Sequence, residues 1–376
     1  VKKKKVLLVA NVGKEHVIKF HIPTITMLKS LGYEVDVACG GDEEIPECDH
    51  QYKLSYSRAT FNPNTLKGFL ETKRIAEKGN YDMIYCHTAV GGTAGRIAGL
   101  KLRRNGTKVV YCGHGYEFYK GCRLINWLTF YPNEWLWGKF TDAILCINQE
   151  DYDITKKSLR PKRTYLINGI GFNEKRFDVE DKNSVRNKYR MEFSIPDNAT
   201  VLIYLAELTD NKNQKLLLDM QKEILKTRND VYLVLAGFDH LGGAYEKYAS
   251  ELGISSNVRF LGWREDVGSL YAMSDICVAS SIMEGLGLNI VEAMYCGLPV
   301  VASQNRGHAT IIRDGENGFL IPLGDSKRFA DRVLQLITDK DLKERFVKEG
   351  YDTQEKYQSE NVLQQLKNIL TEEMER

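Results

Sequence analysis

The sequence predicts an α/β protein with two doubly wound parallel sheets in succession and a cleft between them. Three observations predict it. Short apolar runs bounded by turn residues, such as residues 6–10 and 201–205, alternate with helical stretches in two separate series, the pattern of strands buried on both faces of a parallel sheet. The chain has 376 residues, more than one hydrophobic core usually supports. After the second series, Val362, Leu363, Leu366, Ile369 and Leu370 fall at helical spacing, which adds a closing helix.

In the first series, the strand at residues 6–10 leads into Asn11-Val12-Gly13. A helix is then expected to about Leu31, with Gly32 as its cap, and a strand at 33–38 completes a βαβ unit. Gly13 sits where such folds bring ligand groups to the backbone. Next come a helix at 65–77, a strand at 83–86, a helix at 93–103 and strands at 108–112 and 143–147. Ligands gather beyond the carboxyl ends of such strands, where Gly113-His114-Gly115 falls. Glycines offer a histidine no packing, so His114 is expected to point into the cleft; a satisfied structural histidine is the alternative. A glycine-containing turn at 165–171 ends the series, and the charged stretch 173–190 follows. The second series has strands at 201–205, 231–236, 258–260, 276–278, 299–302 and 319–321. Domains at 1–171 and 172–354 follow.

Composition narrows the class. A formal charge of +2 argues against a dedicated nucleic-acid binder, so no nucleic-acid partner is expected. Lys2 to Lys5 form a basic run that either solvates the first strand or attracts anionic lipid head groups. Eight cysteines without a Cys-x-x-Cys pair read as reduced thiols of a cytoplasmic protein. No apolar run is long enough to cross a membrane, and no signal-peptide cleavage pattern follows the basic run. Three of the four tryptophans, Trp127, Trp135 and Trp137, share one segment with Phe118, Tyr119, Phe130, Tyr131, Lys120 and Arg123. Either a helix lying on a membrane surface or core packing of a helical hairpin explains them. Asp151-Tyr152-Asp153 matches a metal motif by letter only.

The stretch at 284–299 organises the rest. Glu284-Gly285-Leu286-Gly287 reads as a tight loop entering a short helix near Leu288, closed by Gly297 and Pro299. The amides of a helix's first turn carry the positive end of its dipole and lack intrahelical partners, so an anion over Gly287 and Leu288 is held without a side chain. Glu284 and Glu292 flank that point, and carboxylates suit hydroxyl groups better than phosphates.

The run E-G-L-G-L-N-I-V-E-A-M-Y-C-G-L-P-V-V-A-S resembles the donor-binding signature of retaining glycosyltransferases of family 4, and the likeness covers nearly the whole chain. Its implications are those of that family: the GT-B fold of two facing Rossmann-like domains, with the closing helix, from about 355 to 376, crossing back to the first. The co-substrate would be a nucleotide diphosphate sugar, with no metal or other cofactor. Glu284 would hold the sugar and Glu292 a ribose, while Gly285 to Leu288 and Lys212 bind the diphosphate. Ala206-Glu207-Leu208 departs from the family's Gly-Arg-Leu, and Arg264 and Arg306 are candidates to replace that arginine. The stretch 109–151 resembles the acceptor domain of enzymes that build capsular or exopolysaccharide units, so His114 would contact the transferred sugar. Glu117 stands where those relatives carry a second histidine. A saccharide acceptor linked to a polyprenyl diphosphate, and peripheral contact with the inner face of the plasma membrane, are implied with it. A nucleotide-sugar epimerase of the same architecture and a non-catalytic sugar-nucleotide binder are the alternatives.

Overall fold

A computed structural model describes residues 3–56 and 62–376. Unit 1 comprises the chain up to Gly171 together with Glu360–Arg376, and unit 2 is Phe172–Ser359. In unit 1 the strands are β1 (Lys5–Val9), β2 (Glu34–Gly40), β3 (His50–Leu54), β4 (Met83–His87), β5 (Lys108–Gly113), β6 (Ala143–Cys146) and β7 (Arg163–Leu166). They lie in the order β3-β2-β1-β4-β5-β6-β7, every neighbour parallel. In unit 2, β8 (Thr200–Leu205), β9 (Val231–Ala236), β10 (Val258–Phe260), β11 (Ile276–Ala279), β12 (Val300–Ser303) and β13 (Phe319–Ile321) lie in the order β10-β9-β8-β11-β12-β13, again parallel.

The central strands are the apolar runs of the sequence. Val6 to Val9 and Val201 to Ile203 are fully enclosed, because helices cover both faces of a parallel sheet. Strand order reverses between β1 and β4 in unit 1 and between β8 and β11 in unit 2. At such a switch point the connecting loops diverge and leave a crevice at the carboxyl ends of the strands.

One local expectation changes, and two stretches gain detail. The first helix is broken: a π-helical turn at Gly13–Ile18 precedes the α-helix Ile22–Ser30, with Pro23 in the first turn, where its missing N–H costs nothing. The charged stretch 173–190 belongs to unit 2 and enters helix Lys182–Glu192. Its arginines are not merely solvated, since Arg186 and Arg190 share Asp275 at 2.6 and 2.8 Å. The aromatic segment divides. Trp127 and Tyr131 pack on buried Phe118, whereas Leu124, Ile125 and Leu128 stand 56–71% exposed.

The closing helix, Ser359–Glu375, packs in unit 1 with Val362, Leu366, Ile369 and Leu370 buried, and polar contacts fix it. Glu373 is paired with Arg163 and accepts from the Tyr165 hydroxyl, and Asn168 N–H donates to Gln365 at 3.0 Å. Of the basic run, Lys2 lies outside the described residues; Lys4 donates to the Met374 carbonyl and Lys5 pairs with Glu34. Among the described residues no helix is long and apolar enough to cross a membrane, and all eight cysteines are free.

Candidate active site

In unit 2 the loops after the adjacent strands β8 and β11 are stitched together. Asn211 does most of it: its carbonyl accepts from Ile282 N–H (2.8 Å), its Nδ2 donates to the Met283 carbonyl (3.0 Å) and its Oδ1 accepts from Met283 N–H (3.2 Å). Ser280 Oγ donates to the Lys212 carbonyl at 2.7 Å. The Lys212 ammonium is thereby carried to Glu284, 2.5 Å from Oε1. Ser281 Oγ donates to the same carboxylate at 2.6 Å and lies 2.7 Å from the buried Tyr204 hydroxyl. Burial pushes the Glu284 carboxyl up, but Lys212, the Ser281 hydrogen bond and His308 together outweigh it and hold the group below its usual range. The lysine expected on phosphate and the glutamate expected on a sugar are thus partners of one another.

Glu284 leads to the helix Leu288–Tyr295, whose N-cap is Gly287 at φ +90° and which no side chain caps. An L-residue side chain is disfavoured in that backbone conformation. Space is also tight, since a Cβ there would lie 3.0 Å from His308 Cδ2. At Gly307 a Cβ would come within 2.7 Å of Glu284 Cβ and 2.8 Å of its carbonyl oxygen, so the loop and helix Arg306–Ile311 touch backbone to backbone. His308 is fully buried. Its Nδ1 lies 2.7 Å from the Ser303 carbonyl and 3.0 Å from Asn305 Nδ2, which also donates to the Ser281 carbonyl at 2.9 Å; the shorter contact is to an oxygen that only accepts, and it favours the proton on Nδ1. Nε2 is left with a lone pair and, among the described residues, no hydrogen-bond partner. Burial lowers this ring to about 4, and the neutral form presents a buried acceptor beside Gly287.

The remaining expected residues divide. Glu292 lies on the same helix beside Tyr271, whose ionisation is pushed well up by burial and then by the Glu292 charge. Arg264 is engaged elsewhere, forked onto Asp266 at 2.8 and 2.6 Å. Arg306 is the candidate that reaches the site, with Nε 3.4 Å from the Glu284 carbonyl. Glu207 lies 3.3 Å from His240 at the surface. Asp151 has a structural task, accepting from Tyr116 N–H at 3.0 Å, while Asn148 caps the helix by accepting from Asp151 N–H at 2.8 Å.

Unit 1 gathers four histidines at its switch point. Gly13 opens the π-helical turn that carries His16, His21 precedes helix Ile22–Ser30, His87 ends β4 and His114 follows β5. His16 Nε2 lies 3.1 Å from His21 Nε2, and His87 Nδ1 lies 3.2 Å from His114 Nε2. Burial lowers all four, His16 to about 4 and His114 to about 3. They are neutral at physiological pH. His16, His21, His87, Ser281 and His308 were not singled out from the sequence as site residues. The rule that ligands meet carboxyl ends of strands marks His87 and Ser281, which end or follow strands; nothing local marks His16 or His21.

The comparisons agree with this architecture. Residues 185–353 match the family described as glycosyl transferases group 1, and residues 5–148 the family described as glycosyl transferase 4-like. "Putative glycosyltransferase EpsD" of Bacillus subtilis (strain 168) is 38% identical over 99% of this chain and 97% of its own. The UDP-Gal:alpha-D-GlcNAc-diphosphoundecaprenol alpha-1,3-galactosyltransferase of Escherichia coli is 26% identical over 74% of this chain and 72% of its own. Among solved structures, Anabaena HepE in complex with UDP and glucose superposes with a TM-score of 0.78 at 22% identity, over 98% of this chain and 100% of that one. Two parallel-sheet units, a full-length relative and both family matches place this chain among the glycosyltransferases of family 4, with the GT-B fold.

Proposed function

We propose that the protein is a retaining, metal-independent hexosyltransferase. It moves a hexose or N-acetylhexosamine from a UDP-sugar to a saccharide hydroxyl, on an acceptor linked to a polyprenyl diphosphate, in surface polysaccharide synthesis. The observation that carries this is the Lys212–Glu284 pair, 2.5 Å apart, at the approach to a helix N-terminus that no side chain caps. Unit 2 holds the donor and unit 1 the acceptor. As the glycosidic bond breaks, negative charge grows on the departing diphosphate; Lys212, Arg306 and the amides at Gly285–Leu288 meet it, while Arg264 stays with Asp266. Donors fixed in advance cost no reorganisation when that charge appears. Glu284, released from Lys212 by the diphosphate, accepts from sugar hydroxyls, as does His308 Nε2. Glu292 accepts from the ribose. In unit 1, His114 takes a sugar hydroxyl and Gly13 lets ligand atoms approach the backbone. The leaving phosphate accepts the acceptor's proton on the same face, so configuration is retained without a protein base.

The relatives support the substrate classes: the Escherichia coli protein's name gives a UDP-sugar and a diphosphoundecaprenol-linked acceptor, and the Anabaena structure holds UDP and glucose. The exposed Leu124, Ile125 and Leu128 beside Lys120 and Arg123 support a peripheral seat on the cytoplasmic face of the plasma membrane. Labelled UDP- and GDP-sugars, incubated with the chain in chelator with and without a diphosphoundecaprenol-linked saccharide, test the reading. Label passing from a UDP-sugar into the lipid fraction, as an α-linkage, is expected. Epimerised free sugar nucleotide, or binding without turnover, would sink it.

A further inference from the structure

We propose that His16, His21, His87 and His114 form a binding site for a divalent first-row transition cation of the Zn2+ class, and that the bound cation inhibits transfer by capturing His114. The cation site stands on geometry alone; the inhibition rests on the role given to His114 above.

One ring nitrogen from each of the four lies within 4.8 Å of one from every other. The two closest separations are 3.1 and 3.2 Å. A tetrahedral ion with Zn–N bonds of 2.0–2.1 Å sets its ligand nitrogens roughly 3.3 Å apart. Two edges of that tetrahedron are therefore already at length, and the others close by rotation of the rings.

Hydrogen bonding among the rings does not exhaust the group. Four neutral imidazoles carry four N–H groups and four lone pairs, and the two close ring-to-ring contacts use two of each. His87 is fully buried, and among the described residues its Nε2 has no hydrogen-bond partner, so Nδ1 is the nitrogen it turns to the other rings and would offer to an ion. A cation accepts lone pairs, and imidazole is the ligand that Zn2+, Cu2+ and Ni2+ share. The backbone supplies the convergence. β1, β4 and β5 are neighbours in the sheet, the π-helical turn folds His16 back over the end of β1, and His21 follows five residues later with its N–H on the Val17 carbonyl.

His114 supplies one of these nitrogens, so a bound cation and a sugar hydroxyl compete for its ring. The test uses the untagged full chain, stripped with chelator and titrated with Co2+. One Co2+ per chain is expected, with the visible absorption of a nitrogen-ligated tetrahedral ion, displaced by Zn2+. His21→Gln and, separately, His16→Gln on the partly exposed turn should each weaken binding at least about tenfold. Circular dichroism establishes that both fold. In the transfer assay, Zn2+ should depress wild-type turnover at least about tenfold relative to chelator, and the same ratio should approach one in His16→Gln.

Absence of stoichiometric Co2+ binding would overturn the site. So would a spectrum that persists in both variants, which would put the ion on the second group, Glu34, Asp36 and His50, or on thiols. Binding without inhibition would overturn the link to His114. Wild-type turnover by His114→Ala in chelator removes the role of His114 in transfer instead, and leaves the Co2+ spectrum of the wild-type chain unaffected.

Discussion

The two units place polar side chains at the same point of the same scaffold and fill it with opposite chemistry. In unit 2 the loops beyond the switch point present an ammonium and a carboxylate, Lys212 and Glu284, with 28% and 14% of each side chain open to solvent. In unit 1 the equivalent loops present four neutral imidazoles. Unit 1 keeps its own charge pair inside: Arg96 and Glu134 are joined by two hydrogen bonds of 2.7 and 2.9 Å, and the guanidinium lies 4.2 Å from the Tyr111 ring centroid. This sealed pair serves the fold, whereas the pair proposed to meet the ligand stays partly open, as does the structural pair Arg186–Asp275. The strands decide where a site lies, and the loops decide what it binds.

The sharpest way to break this contrast is to truncate the sealed pair. Glu134→Ala leaves Arg96 charged and buried, and should destabilise unit 1 by about 3–5 kcal/mol. Replacing both partners, Arg96→Met with Glu134→Leu, should recover most of that loss. Denaturant unfolding followed by hydrogen exchange on unit 1 amides measures both, and equal stability of Glu134→Ala and wild type would end the distinction. The open pair should behave the other way. Lys212→Ala should cost roughly a hundredfold or more in kcat/KM and less in stability than Glu134→Ala, because Glu284 keeps its Ser281 hydrogen bond and partial contact with solvent.

A smaller effect concerns the surfaces. Leu124, Ile125 and Leu128 form one exposed apolar patch in unit 1, while the exposed apolar side chains of unit 2, such as Met191, Phe238 and Trp263, are far apart in the sequence. Leu124→Gln with Leu128→Gln should weaken sedimentation with anionic vesicles by roughly tenfold, the scale set by the apolar area withdrawn from lipid. Trp263→Gln in unit 2 should leave it unchanged.

The sequence made the central strands legible because both of their faces are buried, which leaves uninterrupted apolar runs. The edge strands of unit 1 were not, although β10 and β13 at the edges of unit 2 were. β3 (His-Gln-Tyr-Lys-Leu) and β7 (Arg-Thr-Tyr-Leu) have one open edge and mixed exposure, and their composition does not separate them from loops. In unit 2 the helix at Leu288–Tyr295 was readable from its glycines and its paired glutamates. Its partnership with Lys212 was not, because 72 residues separate the two and only the pairing of β8 with β11 brings their loops together. His114 announced itself between two glycines; His21 and His87 lie in apolar surroundings that look like any core.

The smallest effect, and the most diagnostic, belongs to His308. Its ring titrates near 4 in the folded protein against about 6.5 when unfolded. Between those values the unfolded chain binds a proton that the native chain refuses, so stability is fully present above pH 6.5 and declines as pH falls, by at most ~1.4 kcal/mol per pH unit, until about pH 4. Glu284 opposes this by favouring the charged ring, and Lys212 reinforces it. Urea unfolding of wild type and His308→Gln from pH 7.5 to 4.5, read on amides of helix Arg306–Ile311, should show the variant's slope shallower by up to one proton. Common carboxylate contributions cancel in the difference. If instead the variant's slope is the steeper, the ring keeps its proton in the native protein through this range and Nε2 is a donor. It would then join Lys212 on the diphosphate rather than Glu284 on the sugar, and unit 2 would present one cation more than its neutral histidine allows.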